Sequence, residues 1–349
     1  MRIALVSDCY LPRLGGIELQ VHDLAVQLVG AGHDVTVFTT TDGSSAAGVV
    51  RLPAVAGVPL TVERLRAELP RYDVVHCHTS LFSPLGWQAA RLVDGAILTL
   101  HSLPSSSTPW PVGRIDRYVG SVRWTAVSSV VADVLRRLLP RRQVDVLHNG
   151  VDPAMWSRPR RPDHPLTIVS TMRLARRKRP AALLGTLRQI RELVPPAVEL
   201  RAVVVGSGPR TRAMAAEVSR GLDWVELPGR LTRFEIRELY AEADVYLAPA
   251  ELESFGVAAL EARCAGLPVV AMASGGVGEF IRPGIEGYLV NGDREMATTV
   301  AALLADPATM SRLQRHNRTT EPEMTWERVV RQHLAMYRTQ YARRLIRVA

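Results

Sequence analysis

Lysine is nearly missing from this chain, because Lys178 is the only lysine among 43 lysine and arginine residues. Aromatic residues make up only 5% of the composition, which is too few for the base-stacking surface of a single-stranded nucleic-acid binder. The three cysteines are odd in number and widely spaced, a pattern that argues against a disulfide framework and a zinc site. We therefore expect no nucleic acid partner and no zinc site built from these cysteines, and the position of Lys178 becomes informative.

Long apolar runs are lacking as well. No stretch of the sequence approaches the roughly 18 apolar residues needed to span a bilayer. The apolar run at the start of the chain ends at Asp8 and is too short for the core of a signal peptide. We expect a cytoplasmic protein that at most lies on the inner face of the membrane.

The composition that remains is that of a folded protein, with 47% hydrophobic and 22% charged residues. A chain of 349 residues is longer than one ordinary core and fits two domains. The net charge of +9 favours an anionic partner such as a nucleotide or an acidic lipid surface.

Short β-rich runs alternate with amphipathic stretches in the first half of the chain. The runs that we predict to be buried strands are 2–8, 34–40, 73–78, 96–101, 124–128 and 144–147. Between the first two, apolar residues from Ile17 to Leu28 fall on one helical face. Strands joined by helices need crossover connections, so the sheet should be parallel and covered on both faces.

A second α/β series follows a Pro- and Arg-rich stretch at 158–165, which we interpret as a linker. Its predicted strands are 166–172, 200–205, 224–227, 245–248 and 268–273, with helices beginning near Arg179, Arg210, Arg233, Phe255 and Val277. The fold class is therefore α/β, with two doubly wound parallel-sheet domains at 1–160 and 161–325. A terminal helix, 326–349, should pack back toward the first domain. Two such domains facing each other place a ligand at the carboxyl ends of the strands, in a cleft.

Two carboxylates, Glu253 and Glu261, flank a predicted strand-to-helix junction. If the helix starts near Phe255, the N–H groups of Phe255, Gly256 and Val257 form an anion or hydroxyl site. Eight helical residues rise about 12 Å, so the two acids would serve different parts of one long ligand.

Cations and glycines point to the same kind of ligand. Arg173 and Lys178 lie five residues apart after a strand and can clamp a diphosphate. Glycines before predicted helices allow close approach of a phosphate or a sugar. We predict these binding glycines at Gly15, Gly16, Gly208, Gly275 and Gly276.

Together these motifs resemble family 4 of the glycosyltransferases over nearly the whole chain. The matching segments are Gly15-Gly16, Thr99-Leu-His101, Asn149-Gly-Val-Asp152, Arg173 with Lys178, Val205-Gly-Ser-Gly208, Gly229, and the run from Glu253 through Gly287. The resemblance implies the GT-B fold, in which two Rossmann-like domains face each other across a cleft. Residues 1–160 would then be the acceptor side, and residues 161–325 would bind a nucleotide sugar.

The resemblance also implies an activity, which is that of a retaining hexosyltransferase of bacterial glycan or glycolipid biosynthesis. The sugar would be glucosyl, mannosyl or N-acetylglucosaminyl, carried by a UDP-sugar or by GDP-mannose, and no metal or other cofactor would be required. Substitution would occur on the front face, with a donor phosphate oxygen taking the acceptor proton.

Residue roles are carried over position by position. The residue matching Glu261 binds the nucleotide ribose in that family, and the one matching Glu253 contacts the donor sugar. Arg173 and Lys178 match the cations that hold the diphosphate. A backbone contact at Gly16 and a histidine near the reacting sugar carbon, here His101, complete the implied site.

The sequence departs from the family pattern at Arg179, where glycine commonly follows the lysine. That extra cation either alters phosphate contacts or faces solvent. His76 and His78 resemble a metal pair only superficially, since no third ligand is evident, and we interpret them as residues of the core or of the cleft lining.

The stretch that begins at Arg114 and ends at Arg142 holds seven arginines against two aspartates. An amphipathic basic helix there would suit an anionic membrane surface, whereas the commoner object is a solvated helix packed on its own domain. The acceptor is left open between glycan, lipid and small natural product, because it would meet the variable loops 41–47 and 102–112.

Rival functions come from different classes. A sugar phosphorylase of the same architecture would need a lysine for pyridoxal phosphate, and the only lysine already belongs to the diphosphate motif. A non-catalytic nucleotide or nucleic-acid binder would explain the basic charge but not the full set of site motifs. A dehydrogenase is disfavoured because Thr211 replaces the third glycine of the dinucleotide fingerprint.

Overall fold

The computed structural model of the protein describes residues 1–105, 111–159, 161 and 164–348, with side chains through residue 343. Part of the predicted acceptor loop, 106–110, and three positions of the predicted linker lie outside the described residues. The chain divides into two compact units, Met1–Gly150 with Trp326–Ala349, and Val151–Thr325. The first boundary therefore lies at Gly150, before the position 160 expected from the sequence.

The first unit is built on a seven-stranded parallel sheet in the order β3-β2-β1-β6-β7-β8-β9. Its strands are β1 (Arg2–Ser7), β2 (Asp34–Thr39), β3 (Val49–Arg51), β6 (Val74–Thr79), β7 (Ile97–Leu100), β8 (Arg123–Ala126) and β9 (Val144–Val146), beside a separate hairpin of β4 (Ala54–Val55) and β5 (Val58–Pro59). Its helices are α1 (Gly16–Gly30), α2 (Glu63–Glu68), α3 (Pro84–Leu92), α4 (Val112–Val119) and α5 (Ser129–Leu138). All six residues of β6 are buried, as expected for a strand covered on both faces.

The second unit carries a six-stranded parallel sheet in the order β12-β11-β10-β13-β14-β15. Its strands are β10 (Leu166–Thr171), β11 (Leu200–Val205), β12 (Val225–Gly229), β13 (Val245–Ala248), β14 (Val269–Met272) and β15 (Gly287–Val290). Its helices are α6 (Pro153–Trp156), α7 (Pro180–Leu193), α8 (Thr211–Val218), α9 (Arg233–Ala241), α10 (Val257–Cys264), α11 (Asp293–Leu304) and α12 (Pro307–Thr319). Its apolar core includes buried residues from the sheet and from helices α7 and α11.

The α/β class predicted from the sequence is confirmed, and one predicted helix is wrong. The segment that follows β14 forms only a short 3₁₀ turn, Gly276–Glu279, and the next α-helix begins at Asp293. Three glycines at 275, 276 and 278 lower helical propensity in this segment.

The terminal helix α13 (Trp326–Val348) packs on the first unit. Tyr337 is fully buried and its hydroxyl lies 2.7 Å from His76 Nδ1 of β6. Trp326 lies against Gly150, where a Cβ would collide with the indole ring, and the Gln20 side chain binds both the N–H and the carbonyl of Gly150. Within the described residues, none of the helices combines the length and the apolar character that a bilayer crossing requires.

Both sheets share one feature of topology. In the first sheet, β1 lies between β2 and β6; in the second sheet, β10 lies between β11 and β13. The chain fills one side of the first strand and then crosses over to place β6 or β13 on the other side. The point where strand order reverses is where doubly wound sheets bind ligands, at the carboxyl ends of the strands. The loops after β1, β6, β10 and β13 are therefore the first places to look for a site.

Candidate functional site

In the second unit, the loops after β10 and β13 meet at an ion pair. Lys178 Nζ lies 2.5 Å from Glu253 Oε2, and both side chains are partly buried. Lys178 ends a 3₁₀ turn that follows β10, and Glu253 lies in the loop that leads to α10. The only lysine of the chain is thus held by a carboxylate at the reversal point of the sheet.

Arg179 has the left-handed backbone conformation, with φ of 54°, which explains why glycine suits this position. Its guanidinium bridges the two carboxylate oxygens of Asp293 at 2.9 Å each, and it also donates to the Pro249 carbonyl at 3.0 Å. Glu251 lies 3.2 Å away. Of the two roles considered for Arg179 from the sequence, simple exposure to solvent is wrong, because the guanidinium links the Lys178 turn to the loop after β13. An effect on phosphate contacts stays a prediction.

Two further arginines flank this ion pair. Arg173 is exposed and has no partner among the described residues, so its charge is available to a ligand. Burial lowers the pKa of the Arg177 guanidinium, and Glu253 opposes that shift. Among the described residues, the segment after β10 therefore presents two exposed cations without a side-chain partner, Arg173 and Arg176, together with a lysine that is already paired.

Helix α10 begins at Val257, two residues later than the sequence suggested, and Gly256 precedes it with φ of +95°. A Cβ at Gly256 would lie 2.7 Å from the Val277 side chain, besides the strained φ. The first N–H groups of an α-helix have no intrahelical acceptor, which applies here to Val257 and the residues after it. The helix-start N–H groups therefore lie two residues later than predicted, from Val257 onward. Phe255 is buried with its ring against Phe280.

Three of the predicted binding glycines are explained by packing of the backbone. The Gly276 N–H donates to the Glu253 carbonyl at 2.8 Å, and a Cβ at Gly275 would lie 2.9 Å from the Glu253 Cβ. The Gly208 N–H donates to Thr211 Oγ1 at 2.9 Å, and a Cβ there would lie 2.5 Å from the Leu174 carbonyl oxygen. The N–H groups of all three glycines already donate to acceptors within the chain. Ligand binding by these glycines stays a prediction, and none of these N–H groups is free to donate to the ligand.

Glu261 is 9% exposed on α10. Two buried tyrosines share its surroundings: the Tyr240 hydroxyl lies 3.1 Å from Thr171 Oγ1, and Tyr246 donates to the Thr171 carbonyl at 3.0 Å. Burial raises the pKa of both phenols, and the negative charge of Glu261 adds to each shift. Neither tyrosine was predicted as a site residue from the sequence, although each lies within a segment that was predicted to be regular structure.

In the first unit, the loop between β1 and α1 leaves one glycine open. A Cβ at Gly16 would meet nothing within 4 Å, whereas a Cβ at Gly15 would collide with the Glu18 carboxylate. Glu18 is buried in the first turn of α1 and pairs with Arg13 at 2.9 Å. A larger residue at Gly15 would have to displace the Glu18 carboxylate, whereas Gly16 is the position where a ligand can approach the backbone.

His101 follows β7 and belongs to a cluster of imidazoles. Its Nε2 lies 2.9 Å from His78 Nδ1, and the ring centroids of His76 and His78 are 4.0 Å apart. His76 Nε2 lies 2.6 Å from Thr99 Oγ1. Burial lowers the pKa of His101 to about 3 and that of His333 to about 4. The cluster is therefore neutral near pH 7, and the interpretation of His76 and His78 as core residues agrees with their burial.

Metal ligands were not expected from the sequence. Among the residues that the structure describes, no group of three or more His, Cys, Asp or Glu side chains is placed to hold a metal ion.

The stretch from Arg114 to Arg142 does not form one amphipathic helix, because it contains α4, β8 and α5. The apolar side of α5 is buried in its own unit. A groove of about 500 Å³ lies nearby, lined in part by Arg123, Arg141, Arg142 and Arg343. Arg123 pairs with Asp145 and Arg142 with Asp116, whereas Arg141 and Arg343 have no partner among the described side chains.

Two family models match the chain. Residues 14–155 match the model described as Glycosyltransferase Family 4, and residues 165–306 match the model described as Glycosyl transferases group 1. The matches cover most of each unit and leave out the terminal helix.

Curated relatives align over nearly the full chain. The D-inositol 3-phosphate glycosyltransferase of Mycolicibacterium vanbaalenii is 30% identical, over 93% of this chain and 85% of the relative. The alpha-maltose-1-phosphate synthase of Mycobacterium tuberculosis is 29% identical, over 97% of this chain and 99% of the relative.

Solved structures resemble the chain in fold. The sucrose-phosphate synthase of Thermosynechococcus elongatus superposes with a TM-score of 0.76 at 22% identity, covering 98% of this chain and 99% of its own. Anabaena HepE, solved in complex with UDP and glucose, gives a TM-score of 0.80 at 18% identity, covering 97% of this chain and 100% of its own. The GT-B fold class expected from the sequence is thereby confirmed.

Proposed function

The chain belongs to family 4 of the glycosyltransferases, and from that premise we propose that it transfers a hexose-type sugar from a nucleoside diphosphate to an acceptor hydroxyl with retention of configuration. The observation that carries the proposal is the meeting of Lys178 and Glu253 at the reversal point of the second sheet, 2.5 Å apart. Arg173, exposed and without a partner among the described residues, adds a second cation on the same turn.

The cations act on the leaving group. When the bond between the sugar C1 and the diphosphate breaks, negative charge grows on the diphosphate, and Arg173 and Lys178 stabilise it. Their charge does this work without a metal ion. Glu253 holds the Lys178 ammonium in place before the donor arrives and then accepts hydrogen bonds from hydroxyl groups of the donor sugar.

Bond formation to the acceptor and removal of the acceptor proton need no basic side chain of the protein. The acceptor oxygen forms its bond to C1 on the face from which the diphosphate departs, and the acceptor proton passes to a diphosphate oxygen. Glu261 accepts hydrogen bonds from the nucleotide ribose, with the first N–H groups of α10 nearby in sequence to meet phosphate or sugar oxygens. In the first unit, the Gly16 backbone and His101 contact the donor or its reacting sugar.

The donor base and the acceptor are the least determined parts of the proposal. HepE was solved with UDP and glucose, which makes UDP-glucose the first donor to test, before UDP-N-acetylglucosamine and GDP-mannose. The names of two relatives contain inositol 3-phosphate and maltose 1-phosphate. Phosphorylated polyols and sugars are therefore the first acceptors to test, ahead of other glycans, lipids and small natural products.

A thermal-shift panel tests donor binding. Nucleoside diphosphates and their sugars are added without metal, and a ligand that binds only the folded state raises the melting temperature. We expect one base to stand out and Glu261→Ala to abolish its effect, because a hydrogen bond to a charged group contributes about 1.5–3 kcal/mol. Glu217→Ala is the matched control, since Glu217 lies on α8 and pairs with Arg188 of α7.

Turnover is then measured with the donor so identified. Release of the nucleoside diphosphate in the presence of an acceptor, with an axial product linkage from an axial donor by NMR, supports retaining transfer. Binding without transfer to any acceptor class would favour the non-catalytic nucleotide binder. A response equal in Glu261→Ala and wild type would remove Glu261 from the site.

We also propose a peripheral contact with anionic membranes, now restricted to electrostatics because the apolar side of α5 is buried. Arg141 and Arg343, in the groove lined by arginines, supply the charge. Co-sedimentation with anionic vesicles should occur at low salt, weaken at high salt and weaken in Arg141→Ala with Arg343→Ala. No binding to anionic vesicles at low salt would contradict this contact.

A further inference from the structure

His78 is a buried histidine for which family membership supplies no role in the proposals above. It is 4% exposed, on β6, and its Nδ1 lies 2.9 Å from His101 Nε2. Its other nitrogen, Nε2, is buried and has no partner among the described residues. His78 also lines a cavity of about 10 Å³, together with His148, Asn149 and His333, which is close to the roughly 10–15 Å³ that one water needs.

The position of the proton on one ring determines its position on the other. Both imidazoles are neutral near pH 7, because burial lowers their pKa values, so each carries one ring proton. A hydrogen bond between His78 Nδ1 and His101 Nε2 needs a proton on one of these atoms and a lone pair on the other. If His78 donates, His101 carries its proton on Nδ1. If His101 donates, its Nδ1 is bare and His78 carries its proton on Nε2, facing the cavity.

The nitrogen that remains for a ligand is His101 Nδ1, which has no partner among the described residues. Whether this atom donates to or accepts from a sugar hydroxyl is decided by the direction of the bond to His78. A second histidine thus determines the hydrogen-bonding character of the first, as the partner of a ring nitrogen does in general.

We propose that His78 is a positioning residue that fixes the tautomer and the ring orientation of His101. The effect on turnover rests on the assignment of His101 to the donor sugar made above. The effect on the tautomer and orientation of His101 depends only on the two rings. His78 does not touch the substrate and acts only through His101.

The neighbouring histidine offers a contrast on the same strand. His76 is fully buried, and its nitrogens contact the Tyr337 hydroxyl at 2.7 Å and Thr99 Oγ1 at 2.6 Å. Neither contact reaches His101. Tyr337→Phe therefore disturbs a buried imidazole of the same cluster without touching the His78–His101 bond, and it is the matched control.

NMR of the wild-type protein, labelled with ¹⁵N in its histidines, tests the hydrogen bond directly. We expect a scalar coupling across the bond between His78 Nδ1 and His101 Nε2, and a single tautomer of each ring. The protonated nitrogens must be His101 Nδ1 with His78 Nδ1, or the Nε2 atoms of both rings. Absence of the coupling together with a mixture of His101 tautomers would overturn the proposal without the need for any variant.

Variants connect the tautomer to turnover. His78→Leu should give His101 a mixture of tautomers and lower kcat by about 10- to 100-fold, with the donor KM changed less than about threefold. His78→Asn, whose amide reaches the former Nδ1 position, should recover most of the turnover, and Tyr337→Phe should keep the wild-type tautomer and kcat within about twofold. A His78→Leu protein with one His101 tautomer and wild-type kcat would overturn the role.

The two proposals fail in distinguishable ways. If His101→Ala keeps full turnover, the assignment of His101 to the donor sugar fails. The scalar coupling and the tautomers of the wild-type rings still show whether His78 fixes the tautomer of His101. If His101→Ala loses turnover and the rings show no coupling with mixed tautomers, the transferase role stands and the positioning role of His78 falls.

Discussion

The two parallel sheets reverse their strand order in the same way but surround that point with opposite chemistry. At the carboxyl ends of β10 and β13, Lys178 and Glu253 form an ion pair beside the exposed Arg173. At the ends of β6 and β7, the imidazoles of His78 and His101 are neutral and lie against each other. One topology therefore carries a cation–carboxylate pair at these strand ends in one unit and a pair of neutral imidazoles in the other.

The difference teaches what each sheet is suited to bind. Cations are needed where the charge of a diphosphate must be met, and a loop that carries both signs keeps them paired until the ligand arrives. A neutral imidazole recognises hydroxyl groups as donor or acceptor without attracting anions. The comparison favours diphosphate recognition in the second unit and sugar hydroxyl recognition in the first.

The largest effect should follow removal of the cations in the charged site. We expect Arg173→Ala combined with Lys178→Ala to lower kcat by about 10³-fold or more, since loss of one preorganised group that stabilises transition-state charge costs about 10²–10³-fold. Steady-state kinetics with the donor identified above measure it, and KM should change much less than kcat.

Arg176→Ala is the control for that pair. Arg176 is exposed on the same 3₁₀ turn, between Arg173 and Lys178 in sequence, and its removal should alter kcat less than about twofold. An equal loss in Arg176→Ala would show that only the total charge matters, and unaltered kinetics in the double variant would remove the charged site from the mechanism.

The second prediction separates the units by pH. Histidines held neutral have folded pKa values below the unfolded one, about 3 for His101 and about 4 for His333, so the unfolded state takes up protons first and the first unit loses stability as pH falls below about 6.5. At pH 5 each such imidazole costs about 2 kcal/mol relative to pH 7.5. Asp8 of the same unit opposes this loss, because burial raises its folded pKa to about 6 and its protonation adds about 1 kcal/mol of stability at pH 5.

The second unit should respond at lower pH. Glu286 is buried, and hydrogen bonds from Arg282 and His316 overcome the effect of burial and lower its pKa to about 2. A lowered carboxyl pKa gives stability that is present above the unfolded pKa, about 4.5, and is lost only as pH falls from there towards 2.

Urea unfolding with pulsed hydrogen exchange measures both units at pH 7.5 and 5.0, using a common labelling pulse. His101 and His333 together cost about 4 kcal/mol, of which Asp8 offsets about 1 kcal/mol. Peptides from the first sheet should therefore lose protection at a urea concentration about 1.5 M lower at pH 5.0, taking a slope of about 2 kcal/mol per M, and peptides from the second sheet should change little. His333→Gln should reduce the shift in the first unit. An equal shift in both units would contradict the contrast between neutral and charged networks.

A third, smaller effect tests whether Arg179 serves structure or ligand. Arg179→Ala keeps the left-handed backbone and loses the ion pair with Asp293, whereas Arg179→Gly loses the same pair and relieves the backbone. We expect the glycine variant to be more stable than the alanine variant by about 1 kcal/mol in urea unfolding, with equal kcat in both. A lower stability of the glycine variant would refute the role of the backbone conformation.

Most strands and the place of the charged site were predictable from the sequence. Runs such as 200–205 and 245–248 match β11 and β13 residue for residue, because central parallel strands are continuous apolar segments bounded by polar residues. The meeting of Lys178 with Glu253 follows from their places after two strands that the sheet makes neighbours.

Other features needed coordinates because they depend on contacts between distant segments. Gly276 reads as a binding glycine in sequence, yet its N–H is taken by the Glu253 carbonyl. The pairing of His78 with His101 depends on the register of β6 against β7, and the crosslink made by Arg179 depends on Asp293, 114 residues away. Spacing along the chain carries no signal for any of these.

The smallest expected effect is that of metal removal. In the mechanism we propose, Arg173 and Lys178 supply the positive charge that a divalent ion supplies in other reactions with a phosphate leaving group. EDTA should therefore leave kcat and the donor KM within about twofold of their values in untreated enzyme. Parallel assays with and without EDTA, each repeated with added Mg²⁺, make the measurement. The released nucleotide is quantified by chromatography, because a coupling enzyme that itself needs a metal ion would be inhibited by EDTA. A fall of tenfold or more that Mg²⁺ restores would mean that the charged turn after β10 does not suffice for the diphosphate, and the contrast drawn between the two sheets would then lack its chemical basis.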